Sequence, residues 1–187
     1  MTMPPDSTPD TGSVVAALAG RLAQDSFGTG PLAALRRLDP AGSLATPALQ
    51  RLLAQTVPDD WLSPQGMRDW ALIVHLLALG APDLHRGGAR LGAALHAASY
   101  SESRLLRLLD ADRAGLDVQL RRTVRFLVAK GEKLDPVGLA RCVLAVSRAD
   151  TRPDIAEGER TGIARAYYRA ERDSTASSPS QAAGQPA

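Results

Sequence analysis

Arginine side chains of a predicted helix between Asp112 and Lys130 are the groups in this sequence best suited to bind a ligand. At 3.6 residues per turn, one narrow stripe of this helix is apolar and can face a core; it consists of Leu116, Leu120, Val124 and Leu127. The other side carries three guanidinium groups within an arc of about 100°, those of Arg121, Arg122 and Arg125. Guanidinium groups donate forked hydrogen bonds that match phosphate oxygens. The spacing therefore predicts a phosphate-binding face, which Arg104 and Arg107 on the preceding predicted helix extend.

A solvated helix face is the alternative interpretation of the same arginines. Asp117 stands four residues before Arg121, and this spacing favours an ion pair on a helix surface. Exposed pairs of this kind are common and contribute little free energy. The helix alone leaves both interpretations open.

Catalytic and metal chemistry find no support in the sequence. No nucleophile is paired with a general base, and Gly28-Thr29-Gly30 lacks the glycine and lysine of a phosphate-binding loop. The three histidines have no metal-ligand spacing with acidic residues or the single cysteine; these are His75, His85, His96 and Cys142. We predict structural roles for these four residues, no catalytic residue, no metal and no cofactor. The pair Tyr167-Tyr168 is suited to stack on bases, but its place beside Ile163 favours a packing anchor.

Composition and charge narrow the class of protein. The chain has 187 residues, is 44% hydrophobic and contains one cysteine, so an intrachain disulfide is impossible and a cytoplasmic protein without a membrane span is expected. Residues 1–85 hold five arginines and eight acidic residues, a net charge of −3. Residues 86–172 hold seventeen basic and eleven acidic residues, a net charge of +6. This asymmetry is typical of a polyanion-binding second half.

The elements that must position these arginines are predicted to be helices throughout. Apolar residues recur with helical periodicity and nowhere alternate with period two, so we predict an all-α fold of about eight to nine helices in two small packed halves. Predicted starts are Thr46-Pro47, Ser63-Pro64, Asp135-Pro136 and a capping box formed by Ser99 and Glu102. The predicted organisation is a disordered tail (1–12), an N-terminal helical half (13–98), a basic C-terminal helical half (99–172) and a second disordered tail (173–187).

Three segments, 90–95, 100–109 and 120–127, resemble the CasB family, the small subunit of the type I-E CRISPR Cascade surveillance complex. Supporting matches are Ala34 to Arg37, Leu-Asp-Pro at 134–136 and the helix end at Ala166 to Tyr168. The resemblance spans roughly residues 30 to 170 and rests on helical arginine and leucine patterns.

The resemblance implies a non-catalytic subunit whose basic surfaces support the heteroduplex of guide RNA (crRNA) and target DNA and the displaced strand of the R-loop. Implied protein partners are a second copy of the chain and the backbone, large and guide-RNA-processing subunits; a membrane is not implied. The nucleic-acid-binding residues it favours are Arg36, Arg37, Arg90, Arg104, Arg107, Arg121, Arg122, Arg125 and Lys130.

Two other functions stay open from the residues alone. One is a helical adaptor whose arginines pair with an acidic partner protein. The other is a helix-turn-helix DNA-binding regulator that uses the helices around Leu134 to Tyr168, although Arg152-Pro153 makes an awkward tight turn for it.

Overall fold

Residues 10–176 are described by a computed structural model of the chain. Nine α-helices and no β-strand are present in these residues, which confirms the predicted all-α class. The helices are α1 (Thr11–Leu22), α2 (Thr29–Arg36), α3 (Pro47–Thr56), α4 (Pro64–Gly80), α5 (Leu91–Ala97), α6 (Glu102–Leu109), α7 (Arg113–Lys130), α8 (Pro136–Ser147) and α9 (Pro153–Ala176). Short 3₁₀ helices occupy Asp25–Phe27 and Asp59–Trp61.

Local capping residues begin and end several helices where the sequence predicts. The Asp112 carboxylate accepts a hydrogen bond from the Gly115 N–H at 2.7 Å and so caps α7. Asp135 caps α8 through the Val137 N–H. Gly131 ends α7 with a φ of 69°, a left-handed conformation that costs glycine little.

The capping box predicted at Ser99 and Glu102 is wrong. Ser99 has a φ of 59°, and its N–H donates to the His96 carbonyl at 2.8 Å. The Tyr100 N–H donates to the Leu95 carbonyl at 2.9 Å. This paired arrangement is a C-terminal cap, so Ser99 ends α5, whereas α6 begins after Ser101.

The helical region extends beyond the predicted limits of 13 and 172 at both ends. Asp10 accepts hydrogen bonds from the backbone N–H groups of Gly12 and Ser13 and starts α1 at Thr11. Helix α9 continues to Ala176. The rest of the two predicted tails, 1–9 and 177–187, lies outside the described residues.

Helix α4 lies at the centre of the fold, as its nearly uniform apolar character predicts. It contacts α1, α2, α3, α7 and α8. Trp70 of α4 is buried and stacks on Trp61 with ring centroids 5.8 Å apart. One continuous apolar core takes in residues from α1 through α9; the division into two halves stays a prediction. No helix within residues 10–176 is long and apolar enough to cross a membrane.

Helix α9 packs closely on α5 and is hydrogen-bonded to the start of α6. Gly92 lets the two helices approach closely, since a Cβ atom there would lie 2.0 Å from the Ile163 carbonyl oxygen. The Tyr167 hydroxyl of α9 donates to the Tyr100 carbonyl at 2.6 Å, and the Tyr168 hydroxyl donates to Glu102 at 2.6 Å. The two tyrosines therefore tie α9 to the start of α6, in keeping with packing anchors.

Candidate nucleic-acid interface

A cleft of about 360 Å³ lies between α6 and α7 and is rich in cationic side chains. Its lining residues are Tyr100, Arg104, Arg107, Gln119, Arg122 and Phe126. Half of these six residues are arginines and none is acidic. Guanidinium groups brought together without a carboxylate among them favour an anionic ligand.

The buried faces of the two helices direct these side chains outward. Leu105 and Leu108 of α6 pack into the core, so that Arg104 and Arg107, one position before each, lie at the surface. On α7 the cleft residues Gln119, Arg122 and Phe126 follow one another at intervals of three and four, which places them along one side of the helix.

Tyr100 and Phe126 form the aromatic floor of the cleft. The Tyr100 hydroxyl lies 3.1 Å from the Thr123 hydroxyl, and both residues are buried. The two rings meet edge to face with centroids 5.1 Å apart. Together with the bond from Tyr167, these contacts hold the floor rigidly beneath the arginines.

Two cations approach the Phe126 ring. The Arg104 guanidinium carbon is 5.6 Å from the ring centroid, and the Lys130 ammonium nitrogen is 5.9 Å from it. At these distances the ring quadrupole attracts both cations. A guanidinium over a ring keeps its in-plane N–H groups available as donors. Arg107 uses one N–H, since its Nε donates to the Ser103 carbonyl at 3.2 Å.

Arg121 and Arg125 do not line this cleft; they lie beside the central helix α4. The predicted pairing of Arg121 with Asp117 is confirmed at 2.6 Å. Both arginines act on His75 of α4, whose pKa is lowered first by burial and then by the positive charges of Arg121 and Arg125. The single strip predicted on α7 is therefore divided, with Arg122 in the cleft.

The remaining predicted residues lie elsewhere. Arg36 caps the end of α4, because its guanidinium donates to the carbonyls of Ala78 at 2.9 Å and Ala81 at 2.7 Å. Arg37 is exposed. Arg90 lines a separate cleft of about 330 Å³ that also contains Arg141 and the acidic residues Asp135 and Glu159.

Three cleft residues were missed in the sequence: Tyr100, Gln119 and Phe126. One stripe of α7, which can be read from the residue spacing, carries Gln119, Arg122, Phe126 and Lys130. Tertiary contacts, such as that of the Arg104 guanidinium with the Phe126 ring, reveal that this stripe faces α6.

His75 and His85 bind backbone carbonyls and Cys142 is buried, as expected. His75 Nδ1 lies 2.9 Å from the Leu35 carbonyl and His85 Nε2 lies 2.9 Å from the Leu77 carbonyl, so each of these nitrogens carries the donated proton. Cys142 is buried, and burial raises the pKa of its thiol to about 12. Within residues 10–176, no group of three or more histidine, cysteine or acidic side chains is arranged to hold a metal ion.

Comparison with known proteins identifies the family of this chain. The family described as "CRISPR-associated protein Cse2" matches residues 31–168, most of the chain. The chain belongs to this family. The crystal structure of CasB from Thermobifida fusca is similar in fold, with a TM-score of 0.65 and 21% sequence identity over 87% of this chain and 99% of that one. No curated protein matches the sequence.

Membership of the Cse2 (CasB) family confirms the resemblance found in the three arginine- and leucine-rich segments. It supports the role of a Cascade subunit, and other Cascade components are the partners that this role implies.

Proposed function

We propose that this Cse2-family chain is a non-catalytic nucleic-acid-binding subunit of a type I-E Cascade complex. In that role it stabilises the heteroduplex of guide RNA and target DNA and the displaced strand. The observation that carries the proposal is the cleft between α6 and α7, which Arg104, Arg107 and Arg122 line and to which no acidic residue contributes.

The chemistry of the cleft suits contacts to a nucleic-acid backbone. Guanidinium donors bind phosphate oxygens without reading the base sequence. In RNA-guided recognition, base pairing reads the target, and protein contacts to the strands tip a nearly balanced exchange between duplexes. Arginines held on two packed helices supply such contacts at a low ordering cost, since little of the surrounding structure has to be fixed on binding.

The aromatic floor adds a second kind of contact. Phe126 is only partly buried and lies beneath Arg104 and Lys130. Aromatic rings and guanidinium planes both accept stacked bases. The cleft therefore suits a strand whose phosphates face the arginines.

The proposed partners are the crRNA, the target DNA, a second copy of the chain, and the backbone, large and guide-RNA-processing subunits. Arg37 and Arg125 are exposed and stay candidates for nucleic-acid contacts outside the cleft. We expect Arg36 and Arg121 to contribute less, because their guanidinium groups already bind protein oxygens.

The two alternative functions have weaker support. In a helix-turn-helix regulator the second helix of the pair reads the DNA; here that helix is α9, which already packs along α5 and α8. An adaptor without nucleic-acid contacts requires an acidic protein partner for the cleft.

A binding assay with the assembled complex tests the proposal. The triple substitution Arg104→Ala, Arg107→Ala and Arg122→Ala is expected to lower the affinity for target duplex DNA at least tenfold while the complex still assembles. The matched control removes three exposed arginines of α9, Arg165, Arg169 and Arg172, and is expected to retain affinity within threefold. If the chain were instead an adaptor for an acidic protein, the cleft variant would fail to assemble into the complex.

A further inference from the structure

A second cleft, of about 450 Å³, lies at the N-terminal end of the fold. It is bordered by α1, the start of α2, α3 and the segment between α1 and α2. Its lining residues are Arg21, Gln24, Phe27, Pro31, Ala48, Arg51, Leu52 and Gln55. None of them belongs to the α6–α7 cleft, so this site is independent of the function proposed above.

Helix α3 supplies one complete side of this second cleft. Ala48, Arg51, Leu52 and Gln55 are spaced by three and four residues and thus share a helix face. Leu49, Leu52 and Leu53 are buried, with Leu52 at the boundary between this face and the core side. The same short helix therefore packs on the core with one face and presents a second, amphipathic face to the cleft.

The floor of the second cleft is apolar. Leu52 lies beneath it, and Phe27, partly buried, packs against the core from the short 3₁₀ helix. Pro31 and Ala48 add aliphatic surface. A concave apolar surface of this size accommodates one or two side chains of a ligand.

The rim of the second cleft is positive. Arg21 and Arg51 are its charged lining residues, and no acidic residue lines it. Arg21 donates to the Gln55 side-chain oxygen at 2.5 Å, which holds its guanidinium across the rim. Arg51 is exposed, and its guanidinium makes no hydrogen bond or ion pair with any residue between 10 and 176.

We infer that this second cleft binds a segment of a partner protein that carries an apolar side chain next to a carboxylate. The apolar group packs on Phe27, Pro31 and Ala48 above the buried Leu52, and the carboxylate pairs with the guanidinium of Arg51. The amides of Gln24 and Gln55 offer donors and acceptors for the backbone of such a segment.

A polyanion suits the second cleft less well than an acidic peptide. Residues 1–85 carry a net charge of −3, which repels a long chain of phosphates more strongly than a peptide with one or two carboxylates. Two arginines are sufficient for one or two carboxylates, whereas nucleic-acid sites use longer tracks of positive charge.

Chemical-shift mapping on the full-length chain tests the inference with three defined peptides. The probe is the acetylated and amidated peptide GSELFESG, and the controls are GSKLFKSG and GSESSESG. We expect GSELFESG to shift the backbone signals of Gln24, Phe27, Arg51 and Gln55, and each control to bind at least tenfold more weakly.

A charge-reversed variant makes the test specific. Arg51→Glu sets a carboxylate beside the remaining Arg21 of the rim, so the preference for GSELFESG over GSKLFKSG is expected to fall from at least tenfold to less than threefold. The matched control Arg169→Glu makes the same charge change on α9 and is expected to keep the original order. Absence of shifts in the second cleft with GSELFESG would overturn the inference, as would an unchanged preference in Arg51→Glu. Equal shifts at these residues with an oligothymidylate strand would assign the cleft to nucleic acid and overturn it as well.

Discussion

The guanidinium carbon of Arg104 on α6 lies 5.6 Å from the centre of the Phe126 ring on α7. This contact joins two helices that run along opposite sides of the arginine-rich cleft. It also places Arg104 near Arg122, eighteen residues later in the chain and a lining residue of the same cleft. The arrangement turns separate basic residues into one local surface for an anionic ligand.

Adjacent arginines at the end of α2 are expected to differ in their effect on stability. Arg36 donates to two carbonyls at the end of α4, so Arg36→Ala leaves these acceptors without their charged donor. We expect a loss of about 1–2 kcal/mol in the free energy of unfolding. The matched substitution Arg37→Ala is expected to change it by less than about 0.5 kcal/mol. Urea denaturation measures both, and equal effects would contradict the capping role of Arg36.

A glycine at the contact of α5 with α9 is expected to be essential for close packing. A Cβ atom at Gly92 would lie 2.0 Å from the Ile163 carbonyl oxygen and 2.7 Å from the Tyr167 nitrogen. Backbone atoms cannot rotate away, so Gly92→Ala is expected to cost about 3 kcal/mol. For a chain of this size the melting temperature then falls by roughly 6–12 °C.

The control for this substitution lies within α9 itself. A Cβ atom at Gly158 meets nothing within 4 Å, and alanine favours a helix over glycine by about 1 kcal/mol. Gly158→Ala is therefore expected to leave the melting temperature unchanged or raise it. A Gly92→Ala protein as stable as this control would show that α5 and α9 do not approach as described.

Most of the fold, but only part of the site, can be predicted from the sequence. Helix periodicity and local caps such as Asp112, Asp135 and Gly131 predict the helices, because these signals depend on near neighbours. The capping box predicted at Ser99 is wrong because a serine between two helices can either begin the second helix or end the first. The role of Arg36 depends on carbonyls more than forty residues away, and no local pattern contains such a contact. The cleft itself requires knowing which side of α7 faces α6.

Acidification is expected to destabilise the folded chain through His75, which is buried, and His85, which is partly buried. Burial lowers the pKa of His75 and of His85 below the usual value of 6.5, so the unfolded chain binds protons first as the pH falls. The free energy of unfolding therefore keeps its full value above pH 6.5 and falls progressively below it.

Urea denaturation between pH 7.5 and 5.5 measures this dependence. The free energy of unfolding is expected to fall with pH in the unmodified chain and to fall less steeply in His75→Gln. Asp69, whose pKa burial raises, is present in both proteins and cancels in the comparison. An identical slope in the two proteins would contradict a neutral, buried His75.

Arg104, Arg107 and Arg122 are expected to contact the phosphates of a nucleic-acid strand. The most direct measurement is the salt dependence of target-DNA affinity for Cascade assembled with the unmodified subunit or with the Arg104→Ala and Arg122→Ala double variant. Each lost phosphate contact lowers the slope of log K against log salt concentration by about 0.7–0.9. We predict a slope shallower by about 1.5 per bound subunit, together with weaker binding. A double variant that keeps both the slope and the affinity of the unmodified complex would contradict the claim.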